Sequence, residues 1–137
     1  MVERATVQQT SDGIYAAWNA HDPAAVASFY NEGAEVIDSS GIATRGRTAL
    51  LALWAGRLTG FPDLRLHRTT LVVEANTSAD SWRLHATHTG DYDGLPPSGR
   101  GVEIVGASFT EYDEQGLVVR DTVFSNVLAL LSHLGVE

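Results

Sequence analysis

The sequence contains no cysteine among its 137 residues. This excludes disulfide bonds and any metal site that depends on thiolate ligands. Cysteine usage therefore gives no information about the redox compartment. The protein must be stabilised by a hydrophobic core, and 137 residues with 44% hydrophobic composition are enough to form one. We predict a single domain over residues 1–137.

Basic residues are also scarce, since 9 Lys and Arg stand against 17 Asp and Glu and give a formal net charge of −8. Such a surface repels phosphate backbones and anionic lipid, so we expect neither nucleic acid nor a membrane as a partner. Residues 1–4 carry no apolar leader segment, and no apolar run approaches the length of a membrane span. We predict a soluble, cytoplasmic protein.

Helical and strand-like patterns occupy different parts of the chain. Apolar residues at helical spacing predict helices over 6–19, 22–30 and 48–58, with a short strand at 34–38. Four strand-like runs follow at 64–75, 81–92, 102–112 and 117–124, and a short helix closes the chain at 127–134. This order predicts an α+β fold in which three N-terminal helices pack on a curved antiparallel sheet. We expect the resulting cone to enclose a pocket for a small hydrophobic molecule.

The segment from His88 to Arg100 has the composition of a hairpin connection. Its two prolines fix φ, and its glycines supply conformations that other residues resist, so we predict strand at 88–92 and a turn at 94–99. Together with Phe61-Pro62-Asp63 and Leu134-Gly135, this motif resembles the SnoaL-like polyketide cyclase family. That family lies within the superfamily of nuclear transport factor 2 and ketosteroid isomerase. The resemblance implies the cone-shaped fold, acid/base chemistry without a cofactor, and a homodimer.

Asp121 is the first candidate for chemistry. Strand alternation places Val119, Asp121 and Val123 on one face and Arg120 on the other. A carboxylate between two valines is desolvated, which raises its pKa toward the range of a general acid or base. The alternative is an edge-strand aspartate paired with Arg120 or another surface cation. The family resemblance implies the catalytic role, because family cyclases use an aspartate in this closing strand.

Asp38 is the second candidate. Residues 15–38 resemble ketosteroid isomerase, and Asp38 falls on the proton-shuttling aspartate of that enzyme. The same resemblance puts Ile14 and Ala107 at the two positions that hold the oxyanion donors, and neither side chain can donate a hydrogen bond. Tyr15 is one position away, which on a helix turns it by about a hundred degrees. The alternative role for Asp38 is to cap the turn that follows it.

His88 is the third candidate, since its predicted strand face is the smaller and more apolar one. The alternative is a His88 that hydrogen-bonds the hairpin backbone. His85 points to the opposite face, so the two histidines cannot bind one metal ion from adjacent sites. Without a His-X-His pair or a cysteine, we expect no metal and no cofactor.

A set of apolar side chains is expected to line the pocket around the two carboxylates. Its members are Ile14, Trp18, Trp54, Phe61, Ala107, Phe109, Val119 and Val123. Each of them alone is typical of a hydrophobic core. Their joint presence favours a flat, hydrophobic substrate such as a polyketide, terpenoid or steroid-like ring system.

These features favour a cofactor-free acid/base enzyme that enolises a hydrophobic carbonyl compound and cyclises it by intramolecular aldol attack. Asp121 would carry the proton, and Asp38 and His88 would assist. The rival is a small-molecule-binding or assembly module without chemistry, in which Asp121 is salt-bridged or faces solvent. An isomerase or an epoxide hydrolase would need an oxyanion donor or an Asp–Arg pair that the sequence pattern does not supply. The outer sheet face, with Thr87 and Thr89 among apolar neighbours, favours a homodimer.

Overall fold

The computed structural model describes residues 2–135, and helices occupy much of the first half of the chain. They are α1 (Arg4–Asn19), α2 (Pro23–Ala27) and α3 (Arg47–Gly60), with α4 (Val127–His133) near the end. Helix α2 begins as the sequence indicates, because the Asp22 carboxylate accepts a hydrogen bond from the Ala25 backbone N–H at 3.1 Å. None of the helices within residues 2–135 has the length and apolar character needed to cross a membrane.

Within the same residues, six strands form one sheet in the order β2-β1-β6-β5-β4-β3. They are β1 (Tyr30–Ile37), β2 (Ala43–Arg45), β3 (Arg65–Glu74), β4 (Thr77–Thr87), β5 (Gly101–Tyr112) and β6 (Val118–Ser125). Strands β3 to β6 form the predicted antiparallel meander. However, β4 begins at Thr77, so it includes residues 77–80, which the sequence pattern left outside the predicted strands.

The sheet is mixed, which corrects the prediction of a fully antiparallel one. Strand β1 runs parallel to β6, and Val36 lies opposite Asp121. Parallel pairing is possible because the connection between these two strands is long. As a result β6 lies between β1 and β5 and is not an edge strand, so the edge-strand alternative for Asp121 is excluded.

The helices cover the inner face of the sheet. Along β4, Ser78, Asp80 and Trp82 are buried, and the residues between them are less buried. Buried apolar side chains come from the helices and from the sheet, and they include Val7, Trp18, Val26, Leu50, Trp54, Val102, Ile104 and Val118. The period of two in the strands therefore selects which polar groups enter the interior.

The connection between β4 and β5 differs from the prediction, since β4 ends at Thr87 and does not continue to residue 92. The His88 backbone N–H donates to the Arg100 carbonyl at 2.9 Å, and the Gly99 N–H donates to the His88 carbonyl at 2.8 Å. Gly90 packs against the end of α3, where a Cβ would lie 1.8 Å from the Thr59 carbonyl oxygen. Only glycine fits this close approach.

Candidate active site

Asp121 lies on the inner face of β6, as the alternation predicts. Val36 and Thr110 are its neighbours on β1 and β5, and Val123 follows it on the same face. Its carboxylate accepts hydrogen bonds from the Tyr30 hydroxyl at 3.3 Å and from the Thr110 hydroxyl at 3.1 Å. No salt bridge to Asp121 is formed by the part of the chain that the structure describes. Its immediate polar partners are therefore neutral hydroxyl groups.

Arg120 does not pair with Asp121, because it projects from the opposite face. Its guanidinium contacts Glu35 at 2.8 Å and Glu111 at 3.4 Å. Arg45 contacts the same Glu35 carboxylate at 2.8 Å. The cation next to Asp121 in sequence is thus bound by acids on the outer face of the sheet, of which Glu35 is largely shielded from solvent.

The surroundings of Asp121 raise its pKa from 3.8 to about 7. Burial is the main cause, and the negative charge of Asp80 adds to it. The hydroxyls of Thr110 and Tyr30 act in the opposite direction because they stabilise the carboxylate, and Arg57 does so through its charge. Asp121 can therefore take up and release a proton near neutral pH.

Asp80 is a second inward-facing carboxyl group, and the sequence interpretation missed it. Its side chain is buried, and the Tyr15 hydroxyl on α1 donates a short hydrogen bond to its Oδ2. Its other oxygen, Oδ1, has no hydrogen-bond partner among the described residues. Burial raises the pKa of Asp80, whereas the bond from Tyr15 and the charge of Arg68 lower it. Arg68 itself is bound by Asp12 at 2.7 Å.

The sequence interpretation of Tyr15 did not consider Asp80, which lies next to the face of α1 that carries Tyr15. A rotation of about a hundred degrees from Ile14 predicts that Tyr15 points away from the site, but this rotation brings the Tyr15 hydroxyl to Asp80. Burial is also the main reason that the pKa of Tyr15 lies well above its ordinary value. The alternation of Ser78, Asp80 and Trp82 is the sequence signal that could have revealed this cluster.

Aromatic side chains connect the helices to the region of Asp121. The Trp18 and Trp54 rings meet edge to face at 5.8 Å between centroids, and Trp54 meets Tyr30 at 4.9 Å. The Arg57 guanidinium lies 5.7 Å from the Trp18 ring centroid. Trp18 and Trp54 are buried, and Ile14 is partly buried against the same core.

Ala107 and Phe109 are corrections to the predicted pocket lining. Thr110 points inward from β5, so alternation directs Ala107 and Phe109 to the outer face. Phe109 is 46% exposed, and Val105 and Phe124 are exposed beside it on the same face. These two predicted lining residues therefore belong to the outer surface.

Val119 is a further correction. The register of β5 and β6 shifts between Glu111 and Tyr112, which leaves Val119 as the extra residue of a bulge. The fully buried valine at this point is Val118. The bulge interrupts the simple alternation with Asp121 that the sequence suggested.

Asp38 lies in an exposed turn directly after β1. Its Oδ1 accepts hydrogen bonds from the backbone N–H groups of Ser40 at 2.8 Å and Ile42 at 3.0 Å. The turn-capping alternative is therefore confirmed. The structure does not bring Asp38 into the hydroxyl-lined surroundings of Asp121.

His88 is buried, and its contacts belong to the hairpin. Its Nδ1 lies 2.9 Å from the Ser98 hydroxyl and 3.3 Å from the Ser98 backbone N–H. The ring packs against Phe61 at 5.4 Å between centroids, which accounts for the burial of Phe61. Its Nε2 has no partner among the described residues. The hairpin alternative for His88 is thus observed, and no hydrogen bond joins it to Asp121 in the described part of the chain.

Two surface grooves lie away from these carboxyl groups. The larger, of about 510 Å³, includes Arg65, His85 and Glu103, and the smaller, of about 340 Å³, lies beside Val73. Asp121 lines neither groove, although its side chain is only partly buried. Within residues 2–135 no group of three His, Asp or Glu side chains could hold a metal ion.

Comparison with known proteins identifies the family. The model of the SnoaL-like domain matches residues 12–121, and no curated protein gives a significant match. One similar solved structure is a protein from Jannaschia Sp. CCS1 whose name gives it as an inferred SnoaL-like polyketide cyclase. It has a TM-score of 0.88 and 20% identity, and the match covers 97% of this chain and 94% of that one. TsrD from Streptomyces laurentii has a TM-score of 0.87 and 23% identity, with 100% of both chains covered. The epoxide hydrolase/cyclase-like enzyme SalBIII, of pyran ring formation in the polyether salinomycin, has a TM-score of 0.80 and 15% identity over 94% of this chain and 97% of that one.

At these identities the solved structures establish the fold alone, which is the predicted nuclear transport factor 2-like and ketosteroid isomerase-like fold. The family rests on the domain match, which spans most of the sequence. The chain belongs to the SnoaL-like domain family.

Proposed function

We propose that this protein is a cofactor-free acid/base enzyme of the SnoaL-like type that acts on a hydrophobic, polyketide-like carbonyl compound. The observation that carries this proposal is the state of Asp121, an inward-facing carboxyl group that forms no salt bridge within residues 2–135 and has a pKa of about 7. Such a group can exchange a proton with a carbon acid at neutral pH. Membership of the SnoaL-like family and the name of the Jannaschia relative support the choice of substrate class.

In the proposed reaction Asp121 removes a proton from the carbon next to a carbonyl group. The C–H electron pair moves onto the carbonyl oxygen, and the enolate carbon then attacks a second carbonyl of the same molecule. The alkoxide formed by that attack takes back the proton held by Asp121, which completes an intramolecular aldol reaction and returns Asp121 to its ionised form. The protein contributes one proton carrier and the orientation of a folded substrate against apolar walls such as Trp54.

Hydrogen–deuterium exchange of β-tetralone tests the proton-transfer step without knowledge of the natural substrate. This flat, bicyclic ketone has exchangeable methylene protons that proton NMR can follow in heavy water. We expect wild-type protein to accelerate the exchange and Asp121→Asn to lose about 10²–10⁴-fold of that acceleration. Glu35→Gln is the matched control, because it removes a negative charge from the outer face of the neighbouring strand. Equal acceleration by wild type and Asp121→Asn would refute the role of Asp121.

The rival function is binding without chemistry. It requires an Asp121 that is neutralised by a cation or left fully in solvent, and the hydroxyl partners of Asp121 argue against both conditions. A second candidate reaction is epoxide opening, favoured by the presence of two inward-facing carboxyl groups, Asp80 and Asp121. One group could activate water while the other protonates the epoxide oxygen. Formation of the diol from styrene oxide, lost in Asp121→Asn, would select this reaction over enolisation.

We also propose that the protein forms a homodimer through the outer face of its sheet. Exposed apolar side chains on this face, Val105, Phe109 and Phe124, would be removed from water by a second copy. Phe109→Asp should then convert a dimer into a monomer in light scattering, whereas Leu53→Asp, on the exposed surface of α3, should not. A wild-type protein that is monomeric at high concentration would contradict the proposal.

A further inference from the structure

A buried acid–hydroxyl pair, Asp80 and Tyr15, has no part in the enolisation and aldol reaction proposed above. Asp80 is only 8% exposed, and one of its oxygens has no partner among the described residues. A buried carboxyl group with an unsatisfied oxygen is costly to fold, so its presence calls for an explanation. The pair also lies on the same face of the sheet as Asp121.

The strand register gives the relative placement of the two acids. Asp80 on β4 lies opposite Ser108 on β5, and Thr110 on β5 lies opposite Asp121 on β6. Both acids therefore project inward from strands that flank β5, with two hydroxyl side chains between them. The Thr110 hydroxyl donates to Asp121, so one side of this gap is already occupied by a polar contact.

We propose that Asp80, held by Tyr15, is a positioning residue that acts through Asp121 and determines the pH at which Asp121 gives up its proton. This inference rests on the proposed function, in which Asp121 is the proton carrier. It assigns a purpose to a buried charge that does not itself need to touch the substrate. The two carboxyl groups then behave as a coupled pair and not as independent acids.

The order of ionisation follows from the neighbours of each acid. Burial raises the pKa of Asp80, but the hydrogen bond from the Tyr15 hydroxyl and the positive charge of Arg68 oppose that rise, so we expect Asp80 to ionise before Asp121. The resulting negative charge opposes a second one on Asp121, because both lie in surroundings of low dielectric constant. In agreement, the charge of Asp80 is the second-largest cause of the raised pKa of Asp121, after burial.

Other titratable and charged groups around Asp121 do not account for this effect. Tyr30 and Tyr112 are buried, and their pKa values lie above the ordinary value, so they remain neutral at pH 7. Arg57 on α3 is a cation, and it lowers the pKa of Asp121. Asp80 is thus the acidic group on the inner face whose charge opposes ionisation of Asp121.

The experiment follows the Asp121 carboxyl group directly by carbon-13 NMR of protein labelled at its aspartate carboxyls. The Asp121 signal is assigned by its loss in Asp121→Asn, and we expect a wild-type midpoint of about 7. In Asp80→Asn, which is isosteric and neutral, the midpoint should fall by about one pH unit or more. The pH at which β-tetralone exchange reaches half of its maximum should fall together with it.

Two further variants separate this effect from a general loss of structure or of charge. Tyr15→Phe keeps the ring but removes the donor, so Asp80 becomes harder to ionise and the Asp121 midpoint should again fall. It also serves as the second test if Asp80→Asn does not fold. Glu111→Gln is the matched control, since it removes a negative charge from β5 on the outer face, where Arg120 contacts it. That variant should leave the midpoint unchanged.

The inference fails if Asp80→Asn folds and Asp121 titrates as in wild type, or if Glu111→Gln moves the midpoint equally. Because the titration needs no substrate, these outcomes are independent of whether the proposed enzyme activity is correct. Conversely, a shifted midpoint together with an active Asp121→Asn would leave the coupling in place and overturn the proposed function. The two failures are therefore distinguishable.

Discussion

Two adjacent residues of β6, Arg120 and Asp121, experience opposite electrostatic environments. Arg120 projects from the outer face, where it is about half exposed and contacts the carboxylates of Glu35 and Glu111. Asp121 projects from the inner face, where its hydrogen-bond donors are the hydroxyls of Tyr30 and Thr110. On the outer face opposite charges form ion pairs, whereas on the inner face the Asp121 carboxylate is hydrogen-bonded by neutral hydroxyl groups.

The comparison shows that the two faces of the sheet shift the pKa values of their carboxyl groups in opposite directions. Arg45 and Arg120 lower the pKa of Glu35 through their hydrogen bonds, so Glu35 stays ionised at neutral pH and has no proton to exchange. Burial and the charge of Asp80 raise the pKa of Asp121 to about 7. Two consecutive residues of β6 therefore differ in role, since Arg120 belongs to a structural ion pair and Asp121 has a pKa near neutral pH.

The largest effect on stability is expected when the inner charge is removed. The folded pKa of Asp121 is about 7 and its ordinary value is 3.8, so folding opposes ionisation and the protein loses stability as the pH rises between these values. The penalty is fully present above about pH 7 and absent below the ordinary pKa. Asn carries no charge, so Asp121→Asn should be more stable than wild type at about pH 8, by about 1–3 kcal/mol once water access to a half-buried group is considered.

Urea unfolding at alkaline and at acidic pH measures this difference. The gain should shrink as the pH falls toward the ordinary pKa of aspartate, because wild-type Asp121 is then protonated in both the folded and the unfolded state. Glu35→Gln provides the opposite sign, since its parent carboxylate is stabilised by folding. An Asp121→Asn variant that is less stable than wild type by the same amount at both pH values would show that Asp121 is not disfavoured as an anion.

Sequence patterns predicted that Arg120 and Asp121 lie on opposite faces of the sheet, but they predicted only part of the candidate site. Alternation along one strand was enough to assign Asp121 and Arg120 to opposite faces, because that pattern is local. Asp80 was missed because Asn76, Thr77 and Ser78 are small and polar, which is typical of a turn, although β4 already starts at Thr77. What makes these residues strand is their pairing with β3 and β5, which is a tertiary effect.

The errors in the pocket lining have a similar origin. The face of Phe109 depends on register with β4 and β6, and nothing in its own strand distinguishes a buried phenylalanine from one on an apolar outer surface. The bulge at Val119 shifts the phase of β6 at its beginning, which a pattern of period two cannot reveal. The family resemblance predicted the fold correctly and proposed a role for Asp121, but it did not predict the contact between Tyr15 and Asp80.

Removal of one inner hydroxyl should have an intermediate effect. Tyr30 donates to the Asp121 carboxylate at 3.3 Å and stabilises its ionised form, so Tyr30→Phe should raise the midpoint of the pH profile above about 7. At neutral pH less Asp121 is ionised, and β-tetralone exchange should fall by about 3–10-fold. Tyr92→Phe is the control, because its ring packs on Phe61 in the hairpin. A lower midpoint in Tyr30→Phe would contradict the role of this hydroxyl.

The smallest effect is expected on the outer face. The stabilisation from Glu35 is present above its ordinary pKa and is lost as the pH falls through its lowered folded pKa, so Glu35→Gln should melt below wild type at neutral pH. The difference should close in strong acid, where wild-type Glu35 is protonated as well. It should also shrink with added salt, because Arg45 and Arg120 are 72% and 48% exposed and their charges are screened. Thermal melts at neutral and acidic pH, with and without salt, measure these changes. If the melting temperature of Glu35→Gln were lowered equally in acid, Glu35 would stabilise the outer face by packing and not by its charge. The contrast between ion pairs on the outer face and hydroxyl groups on the inner face would then not hold for the outer face.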